Sequence, residues 1–572
     1  VFVKYRIEAE EAFAELGFEP RPGQIEYVQK LLTTFLDEGF NDVVLNAPTG
    51  TGKSLIGAAA ASALSNIKNP GKQQLASIIL MHNNVLVNQY HNAFSDDPSF
   101  MQIKGAVQYR CDVLGSGYTG EDCVLPLLKK MPVEGAQLRD THCSNCEYKC
   151  VRENRNNNRH LITNYSYFFI DRLYSKMPLE KRQMMIFDEA HVLNDAFTDH
   201  NAIHFSTKSL IKNAEELSTA LKSFNPQVYK TFKEIKALLQ DGDLGQHNYI
   251  DVLTELNEAY SSAANALEKE LTKSISSFEA FSKFSRLHKK YYGLGCKIDD
   301  LLKYKYEHVI QPAEDEFTVK PIFIGKMFDR ALRISNYNLF MSATITGKLL
   351  TTTLGLDQSK LKVIQLPPTF PPKNKKVIFY KPVGLSYKTM QDEKTMSQID
   401  ANTLAITKHH EGKQEKGIIQ TPSFALASRI AAKLKKANIK NVIEHQRGEQ
   451  LSPLLFRLKE TKEFAVLISP SLFEGVDLPD DASRFQIIVK APYASLGDNR
   501  IKYIAENHKD IYSLNTILKI VQGCGRSVRS QNDHCTTYFL DNNIRWLWNS
   551  DDNIWKNEFE TKYTTLLESD ED

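Results

Sequence analysis

What the chain lacks narrows its class first. No stretch of its 572 residues approaches the ~20 uninterrupted apolar residues of a membrane-spanning helix, so no membrane partner is expected. It has almost no net charge, formally +2 from 71 Lys and Arg against 69 Asp and Glu, so any surface for a polyanion must be a local patch. The opening VFVKYRIEAEEAFAELGF lacks the apolar core and cleavage site of a secretory signal, and a cytoplasmic or nucleoid-associated protein is expected. Long low-complexity tracts are missing. Cysteine is scarce, and five of the eight crowd into one stretch: Cys111, Cys123, Cys143, Cys146 and Cys150. In a large chain with no secretory features, such crowding points to a metal site rather than disulfides. Cys296, Cys524 and Cys535 are scattered and read as small buried residues.

What remains is ordinary globular material, 42% hydrophobic and 24% charged, enough for several cores. At roughly 100–200 residues per domain, it predicts three or four domains. Short apolar runs alternate with helical patterns in two regions. The runs at 42–46, 77–80, 184–187 and 338–341 belong to the first, and those at 376–379, 417–420, 465–468, 486–489 and 537–540 to the second. Continuous apolar strands separated by helices imply parallel sheets covered on both faces, hence two α/β domains. The stretch Leu366-Pro367-Pro368-Thr369-Phe370-Pro371-Pro372 marks the boundary. Two insertions interrupt the first domain: 104–160, cysteine-rich, and 200–325, mainly helical with few strand signals. The predicted order is therefore 1–103, 161–199 and 326–366 for the first α/β domain, and 367–572 for the second.

Ala47-Pro48-Thr49-Gly50-Thr51-Gly52-Lys53-Ser54 follows a strand and precedes a helical pattern, the context of a phosphate-binding loop. Backbone N–H groups cradle the phosphates, Lys53 reaches the β/γ-phosphates and Ser54 holds Mg²⁺. The strict motif begins with Gly, and Ala47 departs from it. Asp188-Glu189-Ala190-His191 ends another buried strand, so Asp188 suits Mg²⁺ ligation and Glu189 the activation of a water. Near the other end of the chain, Val521-Gln522-Gly523-Cys524-Gly525-Arg526-Ser527-Val528-Arg529 contains two arginines three apart. A helix there would place both on one face, as arginine fingers for the γ-phosphate.

In this order the motifs resemble those of superfamily 2 helicases. Phe18-Glu19-Pro20-Arg21-Pro22-Gly23-Gln24 is similar to the adenine-side motif, with Gln24 the adenine contact. The segment His82-Asn83-Asn84-Val85-Leu86-Val87-Asn88-Gln89 resembles the first strand-contacting motif, and Ser342-Ala343-Thr344 the one that couples hydrolysis to movement. Phe473-Glu474-Gly475-Val476-Asp477-Leu478-Pro479 resembles motif V, placing Glu474, Gly475 and Asp477 at the nucleotide. Gln522, Gly523, Gly525, Arg526 and Arg529 resemble motif VI. The resemblance spans about 18–541 and implies two RecA-like motor domains, ATP and Mg²⁺ as cofactors, and single-stranded DNA with tailed or forked duplexes as partners. RNA–DNA hybrids also fall within that range, and a monomer is implied.

The cysteines alone allow iron–sulfur or zinc, and His142 is a further zinc donor. Their place between the Gln89 and Asp188 motifs is where the XPD/DinG-like branch carries a [4Fe–4S] domain. The resemblance implies Cys111, Cys143, Cys146 and Cys150 as ligands, with spacing closer to DinG, while Cys123 either replaces Cys111 or stands by. It also implies that 200–325 is the helical Arch, which with the cluster domain frames a pore for one strand, and that translocation runs 5′→3′. Two stretches combine cations with aromatics, as single-strand grooves do. One is Lys149, Arg152, Arg155 and Arg159 leading to Tyr165, Tyr167, Phe168 and Phe169. The other is Arg286, Lys289 and Lys290 before Tyr291 and Tyr292.

Overall fold

The computed structural model describes residues 4–48, 50–68, 75–111, 117–123, 143, 146–175, 178–221, 230–231, 233–235, 237, 249–274, 278–304, 308–313, 316–325, 327–473, 478–525, 527–548 and 564–566. In chain order the strands begin with β1 (Asp42–Asn46), β2 (Ser77–Met81), β3 (Phe100–Gln102), β4 (His160–Asn164) and β5 (Arg182–Asp188). Then come β6 (Ile203–Ser206), β7 (His308–Ala313), β8 (Glu316–Pro321), β9 (Ser335–Ser342) and β10 (Leu361–Gln365). The second half contributes β11 (Lys375–Val383), β12 (Gly417–Gln420), β13 (Val442–Glu444), β14 (Val466–Ser469), β15 (Phe485–Ile488), β16 (Cys535–Asp541) and β17 (Thr564–Leu566).

Two seven-stranded parallel sheets result, in the orders β10-β1-β9-β5-β2-β4-β3 and β13-β14-β12-β15-β16-β11-β17. The apolar runs are continuous because each strand is buried on both faces. Val43 and Leu45 of β1, with Met184 and Ile186 of β5, enter the core under helices Arg6–Glu15, Gln24–Leu36 and Lys53–Lys68. Their neighbours Val44, Met185 and Phe187 enter the opposite core, with helices Tyr165–Tyr174 and Leu193–His200. The fold is α/β with two RecA-like sheets, as expected. The Pro-rich stretch joins them, since β10 belongs to the first sheet and β11 to the second.

The register positions the site. β1 lies between β9 and β10, and β9 lies beside β5, with Asn46 opposite Ser342 and Asp188 opposite Met341. Three motif-bearing strand ends thus share one edge of the sheet. The opposite end of β1 is pinned by Asp42, a buried carboxylate that accepts 2.7 and 2.8 Å bonds from the Arg333 guanidinium and 2.8 Å from Asn338 Nδ2.

The second insertion is mainly helical but adds a sheet that its sequence does not announce. Its helices Thr207–Ala220, Tyr249–Lys273 and Phe278–Tyr304 share one apolar core, but that core rests on a three-stranded antiparallel sheet, β6-β8-β7. Those strands are short and half-exposed; in Glu316–Pro321 only alternate residues are buried. A pattern of that kind leaves no continuous apolar run to notice.

Candidate nucleotide site and cysteine cluster

The phosphate loop leaves β1 with Ala47 N donating to Ser342 O at 2.9 Å and Thr51 Oγ1 donating to Pro48 O at 2.9 Å. Gly50 and Gly52 have φ of +88° and +74°, which L side chains rarely adopt. At Gly52 a Cβ would also collide with Gln24 Nε2. Gln24 is buried, accepts from Arg21 N at 2.9 Å and donates to Thr51 O at 2.9 Å, while Arg21 Nη1 donates to Gly50 O at 3.2 Å. The adenine-side residues and the loop are therefore one hydrogen-bonded unit. Sequence reasoning missed Phe370, whose ring lies 3.0 Å from where a Gly50 Cβ would be and which packs with Val528 of the second half.

Lys53 opens helix Lys53–Lys68, and its Nζ is 3.2 Å from Glu189 Oε1. Burial alone would lower its pKa, but Glu189 and Asp188 raise it above the ordinary lysine value; the nearby Arg529 guanidinium opposes them. Arg529, from the second half, is thus near enough for its charge to act on Lys53. Burial and the Glu189 charge push Asp188 up from the ordinary carboxylate range, against Lys53 and a hydrogen bond from the Ser54 hydroxyl. Burial also works against an ionised Glu189, yet Lys53, His191 and Ser342 outweigh it and hold that carboxyl low. Glu189 has φ +50°, an unusual backbone for a non-glycine residue.

A chain of side chains crosses between the halves. Gln522 Nε2 donates to His191 Nε2 at 2.7 Å and to Thr344 Oγ1 at 2.8 Å. His191 Nδ1 donates to Ser342 Oγ at 2.8 Å, and Ser342 Oγ donates to Glu189 Oε2 at 3.0 Å. Motifs far apart in sequence thus meet at Glu189. Helix Lys509–Cys524 stops before Arg529, so that arginine is not carried on its face as expected. Arg529 instead lies outside helix and strand, its N–H donating to Asp533 Oδ2 at 2.9 Å and its Nη1 to Gly525 O at 2.8 Å. Thr49, Glu474, Gly475, Asp477 and Arg526 lie outside the described residues. Ser54 and Asp188 fit Mg²⁺, which takes one or two protein oxygens and completes its shell with phosphate and water.

In the cysteine stretch, Cys111 N donates to Tyr118 O at 3.0 Å and Gly120 N to Tyr109 O at 2.8 Å, folding 117–123 back on Cys111. The Cys143 thiol is pushed up by burial and then by Cys146, Cys123 and Cys111, in that order. The charges of three other thiols therefore reach Cys143. Cys150 is exposed, one turn beyond Cys146, with Asn154 Nδ2 at 3.9 Å from its sulfur. Thiolates are the right donors for an iron–sulfur cluster or zinc. Among the described residues, no three His, Cys, Asp or Glu side chains already close to metal-holding distance.

Neither cation-and-aromatic stretch is a free groove. Tyr165, Phe168 and Phe169 are core, Arg155 is buried against Asp171 at 2.9 Å and Tyr167 Oη at 3.1 Å, and Arg159 pairs with Glu15. In the second stretch Tyr291 is fully buried, Lys290 pairs with Glu216 at 2.6 Å, and Arg286 binds Asp122 at 2.6 and 2.9 Å. These cations hold the chain together, and Arg286 ties the helical insertion to the cysteine stretch. Arg152 remains exposed, over the Tyr148 ring at 5.6 Å.

Comparison with known proteins fits this geometry. Residues 406–556 match the family described as helicase C-terminal domain, and 17–228 match type III restriction enzyme, res subunit. No curated protein matches the chain. Among solved structures, one titled XPD helicase has TM-score 0.61 at 14% identity, covering 96% of this chain and 100% of its own. The structure of S. tokodaii Xpd4 has TM-score 0.55 at 14% identity, covering 96% and 100%, and an apo XPD has 0.53 at 15%, covering 95% and 99%. The two sheets have the fold of these XPD helicase structures, and one family match falls on each half. Among the described residues no helix is long and apolar enough to cross a membrane.

Proposed function

We propose that the chain is an ATP-dependent DNA helicase that binds MgATP between its two halves and uses hydrolysis to move along single-stranded DNA. The observation that carries this reading is the Gln522–His191–Ser342–Glu189 chain, which makes the hydrolytic carboxylate sensitive to the position of the second half. Lys53 now neutralises Glu189. When Lys53 turns to the phosphates, Glu189 loses that counter-charge and becomes a better proton acceptor for the attacking water. Arg529 would add positive charge from the other side as the cleft closes, with Arg526 as its expected companion. Glu474, Gly475 and Asp477 would complete the nucleotide contacts, and Ser54 with Asp188 would hold Mg²⁺, which screens the phosphate charge. Differential affinity for DNA in the open and closed states supplies net movement. The substrates are single strands, tailed or forked duplexes and RNA–DNA hybrids, travelled 5′→3′ by a monomer.

For the cysteines we propose a [4Fe–4S] site held by Cys111, Cys123, Cys143 and Cys146. What supports this set is the three thiols that act on Cys143, together with the exposure of Cys150. Bound there, the cluster would cross-link the cysteine-bearing insertion. Lys53→Ala tests the function: single-strand-stimulated hydrolysis should disappear, and a variant hydrolysing at the normal rate would end the assignment.

A further inference from the structure

The second half also touches the first away from the Gln522 chain. Here Arg500, only 7% exposed, donates from Nε to Ile322 O at 3.0 Å and from Nη2 to Asp195 Oδ1 at 2.8 Å. Asp195 lies in helix Leu193–His200, which leads into β6, and Ile322 directly follows β8. One guanidinium of the second half thus grips both stalks by which the helical insertion joins the first half.

Neighbouring contacts extend the grip to the insertion's sheet. Asn499 Nδ2 donates to Ile310 O at 2.7 Å, and Asn499 N to Gln311 Oε1 at 3.2 Å. Gln311 Nε2 returns a bond to Gly497 O at 3.1 Å, and Lys320 Nζ lies 3.3 Å from Asp498 Oδ2. Asp498 is also the N-cap of helix Asn499–Asn507, accepting from Arg500 N at 2.8 Å, so the gripping residues are held on a fixed helix start. Beneath them Ile322 and Leu349 pack with Ile504, Ile511, Leu514 and Leu518. Helix Lys509–Cys524 runs from this apolar patch to Gln522, so one rigid rod joins the junction to the nucleotide residues.

A nearly buried guanidinium keeps its contacts or leaves a charge without partners, so the junction resists partial opening. We infer that Arg500 is a positioning residue that makes the root of the helical insertion move with the second half, so that closure of the nucleotide cleft reorients the insertion. This rests on the reading of the two halves as an ATP-driven motor.

The test reads two distances in the full chain by energy transfer between site-specific labels. One pair joins Glu255 on the insertion to Lys436 on the second half; the other joins Glu255 to Glu11 on the first half. With a non-hydrolysable MgATP analogue and oligo-dT, the Glu255–Lys436 distance should stay constant while Glu255–Glu11 changes. Arg500→Ala should make Glu255–Lys436 respond to nucleotide. It should also lower duplex unwinding per ATP by about tenfold with strand-stimulated hydrolysis within about twofold of wild type, a size typical of coupling between sites. Asp195→Ala, which removes a largely exposed partner and spares the fold, should act in the same direction but less. The inference is overturned if Glu255–Glu11 stays constant in the wild type while Glu255–Lys436 moves, or if hydrolysis and unwinding fall together in both variants. A wild type in which neither distance responds also overturns it, and its strand-stimulated ATPase then tells whether the motor reading falls as well.

Discussion

Gln522 Nε2 lies 2.7 Å from His191 Nε2 and 2.8 Å from Thr344 Oγ1, so one amide of the second half binds residues that follow two adjacent strands of the first. Both partners connect to Ser342, since Thr344 N donates to Ser342 Oγ at 3.1 Å and His191 Nδ1 at 2.8 Å. The Ser342 hydroxyl then spends its own proton on Glu189. Cleft geometry and carboxylate environment are thereby one variable.

Gln522→Ala should therefore impair turnover more than nucleotide binding. Losing a buried hydrogen bond costs about 1–3 kcal/mol, or about 5–150-fold. The expected result is a fall of about tenfold or more in strand-stimulated kcat, with a smaller change in KM for ATP. Steady-state kinetics with saturating oligonucleotide checks this, and an effect confined to KM would count against the relay.

Gly52→Ala should abolish tight nucleotide binding by a different route. The new Cβ would press on Gln24 Nε2 and force a left-handed backbone on alanine, breaking the unit that joins the adenine-side motif to the loop. Gly39 is the control, with φ +77° and open space around its Cβ position. Gly39→Ala should cost about 1 kcal/mol of stability with ATP affinity unchanged. Calorimetric titration of both variants separates loss of the cradle from simple backbone strain.

The motor core was legible in the sequence because parallel strands buried on both faces leave continuous apolar runs, and because each motif follows one of them. Gly50, Lys53, Asp188 and Ser342 could be placed from local pattern alone. Arg529 was read onto a helical face, but the helix ends at Cys524. The cation-and-aromatic stretches misled because local sequence does not reveal distant partners. Arg155 is neutralised by Asp171 and Arg286 by Asp122, one partner sixteen positions away and the other 164. Aromatic residues read the same whether they face a base or a core; Tyr165, whose hydroxyl donates to Asp188 O at 2.7 Å, is in the core.

Cys123→Ser and Cys150→Ser should give opposite results. If the thiols around Cys143 hold the metal, Cys123→Ser loses most bound iron and sulfide, while Cys150→Ser retains them. Anaerobic purification followed by iron and sulfide analysis and visible absorption measures both. Retention in Cys123→Ser with loss in Cys150→Ser would restore Cys150 to the ligand set, and zinc in place of iron would replace the cluster altogether.

Acid should weaken the second half through His410. Its ring is stacked on Phe485 at 4.1 Å, with Nδ1 2.6 Å from Glu415 and Nε2 3.0 Å from Tyr538 Oη. Burial lowers its pKa to about 4, against the raising effect of Glu415. The folded state therefore prefers the neutral ring, whereas the unfolded chain takes up a proton near the ordinary value of about 6.5. Below that value the unfolded state binds more protons, so this contribution is fully present above pH ~6.5 and is lost as pH falls toward ~4. A difference of that size corresponds to about 3–4 kcal/mol. Urea unfolding followed at pH 7.5 and pH 5 should show the loss in the wild type. His410→Gln, which cannot take the proton, should be less stable at pH 7.5 yet show a shallower decline, and an equally steep decline would assign the acid sensitivity to another group.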